Sequence, residues 1–204
     1  MYQSSRANRA VPARCVIVMG VCGAGKSRLA GALARQLDGC CIEGDDFHTA
    51  GARSRMAAGQ ALTDAEREPW LDAIAAAARA AARPGRDVVV ACSALRRSYR
   101  DRLRAGLGSP DFAGLAFVHL TGPRTLIAAR LAARDDHFVG ESLLDSQLAI
   151  LEPLSPDEAG FTLEISPPLD TVVDRAMEML AELGPQRTGA AEAESAPGRH
   201  HGST

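Results

Sequence analysis

The sequence predicts a three-layer α/β/α domain, with a five-stranded parallel sheet held between helices. Three observations predict it. Five short apolar runs recur along the chain, and helical patterns separate them. A glycine-rich loop joins the first run to the first helix. Hydrophobic residues make up 46% of 204, enough to cover a sheet on both faces.

Each element follows in order. Residues 1–14 are polar, without apolar period, and are expected to form a disordered tail. The run at 15–19, Cys-Val-Ile-Val-Met, is apolar throughout, as a strand buried on both faces must be. Leu29, Leu33 and Leu37, at four-residue spacing, mark the first helix. The second strand is expected at 40–43. Thr63-x-x-Glu66 is a capping box and opens a helix continuing through Leu71, Ile74, Ala75 and Ala78. Strands are expected at 87–92 and 115–120, and Pro123 suits the first turn of the next helix. A strand at 161–165 precedes a last helix that buries Leu169, Val172, Val173, Ala176, Leu180 and Leu183. Gly184-Pro185 stops it, so the domain spans 15–184 and residues 185–204 form a second disordered tail.

Composition excludes several classes. Formal charge is −2, from 23 basic and 25 acidic residues, so no net field draws the chain to nucleic acid or to an anionic membrane. Aromatics at 4% leave little for base stacking. No run approaches the ~18 apolar residues of a membrane span. Cys15, Cys22, Cys40, Cys41 and Cys92 are odd in number and contain no C-x-x-C pair, which reads as reduced thiols and a cytoplasmic protein. His200 and His201 read as a solvated pair in the tail.

Of the 23 basic residues only Lys26 is a lysine. It stands in Gly20-Val21-Cys22-Gly23-Ala24-Gly25-Lys26-Ser27, which fits G-x-x-x-x-G-K-[ST] between a strand and a helix. Glycines let successive N–H groups turn onto a β-phosphate, and the helix N-terminus adds positive potential. Lys26 would bridge β- and γ-phosphates, and the Ser27 hydroxyl would hold Mg²⁺. Residues 20–28, Arg28 included, are therefore the expected ATP-binding segment of a P-loop domain. A compact ammonium survives where a planar guanidinium would not fit. No second lysine exists to build the N-K-x-D element of a guanine-specific switch. The metal-side carboxylate is expected from Glu43-Gly-Asp45-Asp46-Phe-His48, at the carboxyl end of the second strand, where open α/β sheets bind ligands.

These loops resemble those of gluconokinases of the thermoresistant type. The resemblance continues through Met56-Ala-Ala-Gly-Gln-Ala-Leu-Thr-Asp64, Arg67-x-Pro69-Trp70-Leu71 and Ala91-Cys-Ser-Ala-Leu-Arg-Arg-Ser-Tyr-Arg-Asp101. It goes on to Arg130-Leu-Ala-Ala-Arg134 with His137-Phe138, and to Gln147-Leu with Leu151-Glu-Pro-Leu154. It covers residues 16–183 in order. It implies a fold like that of shikimate and nucleoside monophosphate kinases, with a mobile lid near 130–140. The implied reaction is transfer of the γ-phosphate of ATP to the 6-hydroxyl of D-gluconate, often by a homodimer. The resemblance makes Lys26, Asp45, Arg130 and Arg134 catalytic, with Asp45 as base and the two arginines covering the phosphoryl group. It puts Glu43 beside Ser27 at the metal, and Asp45, His48, Arg55, Arg97, Tyr99, Arg100 and His137 at the sugar acid. Trp70 reads as packing.

The chain departs from the family pattern at four places. Asp135-Asp136 stand for the usual Lys-Gly, Thr49 for Pro, Ala52 for Asn and Ser166 for Asp. Two alternatives stay open on the sequence: a kinase for another small hydroxy-acid such as shikimate, and a catalytically weak nucleotide-binding regulator.

Overall fold

The computed structural model describes residues 13–58, 60–108, 112–133 and 140–184. The strands are β1 (Ala13–Met19), β2 (Cys40–Glu43), β3 (Val88–Ala91), β4 (Phe112–Thr121) and β5 (Gly160–Glu164), all parallel in the order β2-β3-β1-β4-β5. The helices are α1 (Lys26–Gln36), α2 (Ala50–Ala57), α3 (Asp64–Ala81), α4 (Arg97–Leu107), α5 (Arg124–Ala132), α6 (Gly140–Ile150) and α7 (Leu169–Leu183), with a 3₁₀ turn at Gly44–Phe47.

Side-chain alternation along each inner strand divides the core in two. Val16, Val18, Val89, Ala91, Val118 and Leu120 meet Leu29 and Leu33 of α1, Ile127 of α5, Leu144 of α6 and Val172, Val173, Ala176 and Leu180 of α7. Cys15, Ile17, Met19, Val88, Val90, Leu115 and Phe117 face the other way, onto Leu71, Ile74 and Ala78 of α3 and Leu103 and Leu107 of α4. Both faces are thus covered, as the apolar strand sequences require.

Two expectations need correction. The first strand begins at Ala13, not at residue 15. Ala13 is buried and pairs with Phe112, and Arg14 grips Asp87 through its backbone N–H (2.8 Å) and guanidinium (2.7 and 2.9 Å). These two residues therefore leave the expected N-terminal tail; residues 1–12 and 185–204 lie outside the described residues. The fourth strand likewise starts early, at Phe112, because its edge extends along the added residues of β1. Among the described residues no helix is long and apolar enough to cross a membrane.

Candidate active site

The carboxyl ends of β1, β2 and β3 deliver one site. After β1 the chain turns through Gly20 at φ +140° and Gly23 at φ +79°. A Cβ on Gly20 would lie 2.7 Å from the Leu120 carbonyl oxygen, and one on Gly23 would lie 2.7 Å from Leu131 Cγ. Only glycine serves at either place. Gly25, in the left-handed region, caps α1 without a side-chain hydrogen bond, and no acid stands in the first helical turn. The helix N-terminus is thus left to an anion. Lys26 Nζ donates to the Val21 carbonyl at 3.1 Å, folding back over the loop.

Two cavities meet at this loop, sharing Gly23 and Gly25. The larger, of about 570 Å³, lies toward the amino end of α7 and is lined by Arg28, Arg130, Ile165, Ser166, Pro167 and Pro168 among others. Arg130 is fixed there by donation from Nη2 to the Ile165 carbonyl at 2.9 Å. Ser166 is held by Glu164, which accepts from its hydroxyl at 2.6 Å. The smaller cavity, of about 250 Å³, is the polar one. Lys26, Ser27, Asp45, His48, Arg53 and Arg67 line it, with Trp70, Leu143 and Gln147 closing its walls.

The 3₁₀ turn after β2 supplies Asp45, whose side chain is 70% exposed in the cleft. His48 stacks on Trp70 with ring centroids 4.4 Å apart and planes 11° from parallel. Trp70 Nε1 in turn donates to the Gly44 carbonyl at 2.7 Å, so the indole braces the whole turn. Burial lowers the His48 pKa below 6.5; Asp45, at 3.9 Å from Nε2, opposes this, and Arg67 and Arg53 reinforce it. The ring is therefore neutral at pH 7, and its buried Nδ1 has no hydrogen-bond partner. Glu43, half-buried at the end of β2, does not line the cleft itself. Its charge is felt nearby: burial pushes the Cys92 thiol up to about 12, with Asp45 and Glu43 adding and Lys26 opposing.

Several residues expected at the sugar acid go elsewhere. Arg100 is fully buried, donating to both Glu158 carboxylate oxygens (2.7 and 2.8 Å) and to the carbonyls of Ala94, Leu95, Glu152 and Pro153. Arg97 is on the surface with Asp101 and Asp157. Tyr99 donates to Asp64 and receives a hydrogen bond from Arg67 at 3.2 Å. Arg55 pairs with Glu66, outside the cleft. The reason is shared: each found an acid, or a set of carbonyls, closer than the cleft. Arg134 and His137 lie outside the described residues. In their place the cleft holds Arg53 and Arg67, to which the sequence assigned no role. Arg67 carried a faint signal, lying three residues before Trp70 and so on one helical face.

The cleft and the loop can hold a nucleoside triphosphate and a small anionic acceptor on opposite sides of one glycine turn. Known proteins are similar to this chain over most of its length. Residues 15–154 match the AAA domain family. The thermoresistant gluconokinase of Escherichia coli is 37% identical over 165 residues, covering 80% of this chain and 91% of that protein. A gluconokinase of Gluconobacter oxydans is 42% identical over 145 residues, covering 71% of this chain and 79% of its own. The crystal structure of a gluconokinase from Sinorhizobium meliloti superposes with a TM-score of 0.73 at 40% identity, covering 86% of this chain and 95% of that one.

Proposed function

This chain belongs to the gluconokinase family of P-loop kinases, and on that premise we propose that it transfers the γ-phosphoryl group of ATP to the 6-hydroxyl of D-gluconate. The observation that carries the reading is the junction of the two cavities at Gly23 and Gly25. ATP enters from the larger cavity, its base against the 165–168 segment and its phosphates on the loop. Gluconate enters the polar cleft, where Arg53 and Arg67 match its carboxylate.

Catalysis is positioning and charge neutralisation. Loop N–H groups and Lys26 hold the phosphates, and Asp45 orients the 6-hydroxyl and takes its proton as the new P–O bond forms and the bond from the γ-phosphorus to the β–γ bridging oxygen breaks, releasing ADP. Arg130 neutralises charge from the base side; Arg134, outside the described residues, is the second arginine that the family resemblance would place on the phosphoryl group. Neutral His48 offers a hydrogen bond to the polyol without competing for the carboxylate. Among the described residues no three His, Cys, Asp or Glu side chains cluster to hold a metal. A Ser27 hydroxyl with one carboxylate, Asp45 or Glu43, is nonetheless the kind of hard-oxygen set Mg²⁺ takes when phosphate oxygens complete its shell. The ion would screen the β- and γ-phosphate charge. Free thiols at Cys15, Cys40, Cys41 and Cys92 accord with a cytoplasmic enzyme, and family likeness with a homodimer.

A coupled assay across gluconate, shikimate and AMP tests the reading. The expected result is ATP-dependent turnover of gluconate, with kcat/KM at least a hundredfold above the other two. Preference for shikimate or AMP would replace the substrate, and ATP binding without turnover of any acceptor would make the chain a regulator.

A further inference from the structure

Gln147 of α6 touches the phosphate loop from the acceptor side. Its Oε1 accepts from the Cys22 backbone N–H at 2.6 Å. Because the loop offers a donor there, the carboxamide must present oxygen to it; a nitrogen would set donor against donor. The amide N–H₂ is then turned away from the loop. It makes no hydrogen bond to any described residue, and Gln147 lines the same cleft as Asp45, His48, Arg53 and Arg67.

The placement of Gln147 is fixed by the helix that carries it. Leu144, one turn earlier, is fully buried. Asp145 accepts two hydrogen bonds from Arg124 of α5, at 2.8 and 2.9 Å. Beyond the helix, Glu152 N–H donates to the Leu95 carbonyl at 2.8 Å, and buried Arg100 holds the carbonyls of Glu152 and Pro153, each at 3.1 Å. The amide therefore waits in position rather than swinging in from solvent.

We infer that Gln147 is a specificity-determining residue: its carboxamide N–H₂ donates to a hydroxyl oxygen of the acceptor next to the one that is phosphorylated, while its oxygen keeps the phosphate loop in register. The charges in the cleft are already assigned by chemistry. Lys26 meets phosphate, and Arg53 and Arg67 meet carboxylate. What remains for a neutral donor beside Cys22, close to the meeting point of the two cavities, is the polyol end of the acceptor. This inference rests on the gluconate reading and adds the group that tells one hydroxy-acid from another.

The test is a cycle between Gln147→Ala and a set of monodeoxy gluconates that retain the 6-hydroxyl, with ATP Kd measured in the absence of acceptor. A neutral hydrogen bond of about 1 kcal/mol corresponds to about a fivefold change. The expected result is a gluconate KM raised about fivefold or more in Q147A, a clearly larger factor than the rise in ATP Kd that follows from losing the Cys22 hydrogen bond. One deoxy analogue should be disfavoured about fivefold by the parent and lose nothing further in Q147A. If every analogue loses the same factor in both proteins, or if ATP Kd rises in step with KM while the analogues stay discriminated, Gln147 only supports the loop and the inference falls. A parent enzyme without gluconate turnover would overturn the substrate reading and this inference together, whereas a parent active on gluconate with additive cycles overturns the inference alone.

Discussion

Lys26 and Asp45 line one cleft, and under the proposed function they act on different bodies, which substitution separates. Asp45→Asn keeps shape and removes charge and basicity. A general base contributes ~10²–10⁴-fold, so kcat with gluconate should fall by about that factor while ATP Kd stays near the parent value. Lys26→Ala should lose ATP affinity together with turnover. An Asp45→Asn enzyme within threefold of the parent would move the proton transfer to Asp46 or His48. The arginines give the same kind of contrast. Arg53 lines the cleft, spends only a 3.4 Å contact on the Asp46 carbonyl, and should raise gluconate KM about tenfold when replaced by Ala. Arg97 is committed to Asp101 and Asp157 on the surface, so Arg97→Ala should leave KM and kcat within about twofold. Steady-state kinetics on the pair decides whether the sugar acid is gripped from α2 or from α4.

At the level of elements, α3 depends on its first turn. Thr63 Oγ1 accepts from the Glu66 N–H and the Glu66 carboxylate accepts from the Thr63 N–H at 2.8 Å, closing the capping box. This end of α3 carries Arg67 and Trp70 into the cleft. Thr63→Ala should cost about 1 kcal/mol, a Tm lower by about 2–4 °C, and should raise gluconate KM as well. An unchanged KM would show that Trp70 holds the site without help from the cap. The Arg100–Glu158 pair performs the equivalent task at the other wall. It ties the β3–α4 connection to the segment after α6, and removing one partner leaves a buried charge. Arg100→Met is expected to destabilise by about 3–5 kcal/mol, seen as an early urea midpoint. A midpoint within experimental scatter of the parent would mean that the six carbonyl and carboxylate contacts are replaceable.

The whole molecule should be sensitive to acid, in two stages. Burial lowers the pKa of His48 and, with the Arg100 charge, that of His119, whose two ring nitrogens lack partners. Both rings are neutral when folded and bind protons more readily when unfolded. Stability is therefore lost as pH falls below about 6.5. The second stage belongs to Glu158. Burial alone would raise its pKa, but hydrogen bonds from Arg100 and the Ser155 N–H, with the charges of Arg100 and Arg97, bring it down to about 2. A depressed carboxyl stabilises above its unfolded value near 4.5, and that contribution disappears as pH falls from there toward 2. Urea unfolding at pH 7, 5.5 and 3.5 should give falling midpoints. The decline below 4.5 should be smaller in Glu158→Gln, and an equal decline would remove Glu158 from the account.

What the sequence determined by itself is local in physical origin. Five apolar runs with helices between them require a covered parallel sheet, because a strand without polar positions has no face to give to water. The glycine spacing at 20, 23 and 25, the lone lysine and the Thr63–Glu66 box are short-range signals, each readable within eight residues of chain, although Gly20 and Gly23 also make close approaches to Leu120 and Leu131. The nucleotide loop and the first turn of α3 were legible for that reason. Tertiary structure decided where the long side chains ended. Arg100 reaches Glu158, 58 residues away, and Gln147 reaches Cys22 across 125, and no local period specifies either pairing. An arginine can extend to an acid, a carbonyl or a ligand with similar gain, so its destination depends on which acceptor the fold brings nearest. That is why Arg97, Tyr99 and Arg100 became struts while Arg53, Arg67 and Gln147 became the walls of the cleft.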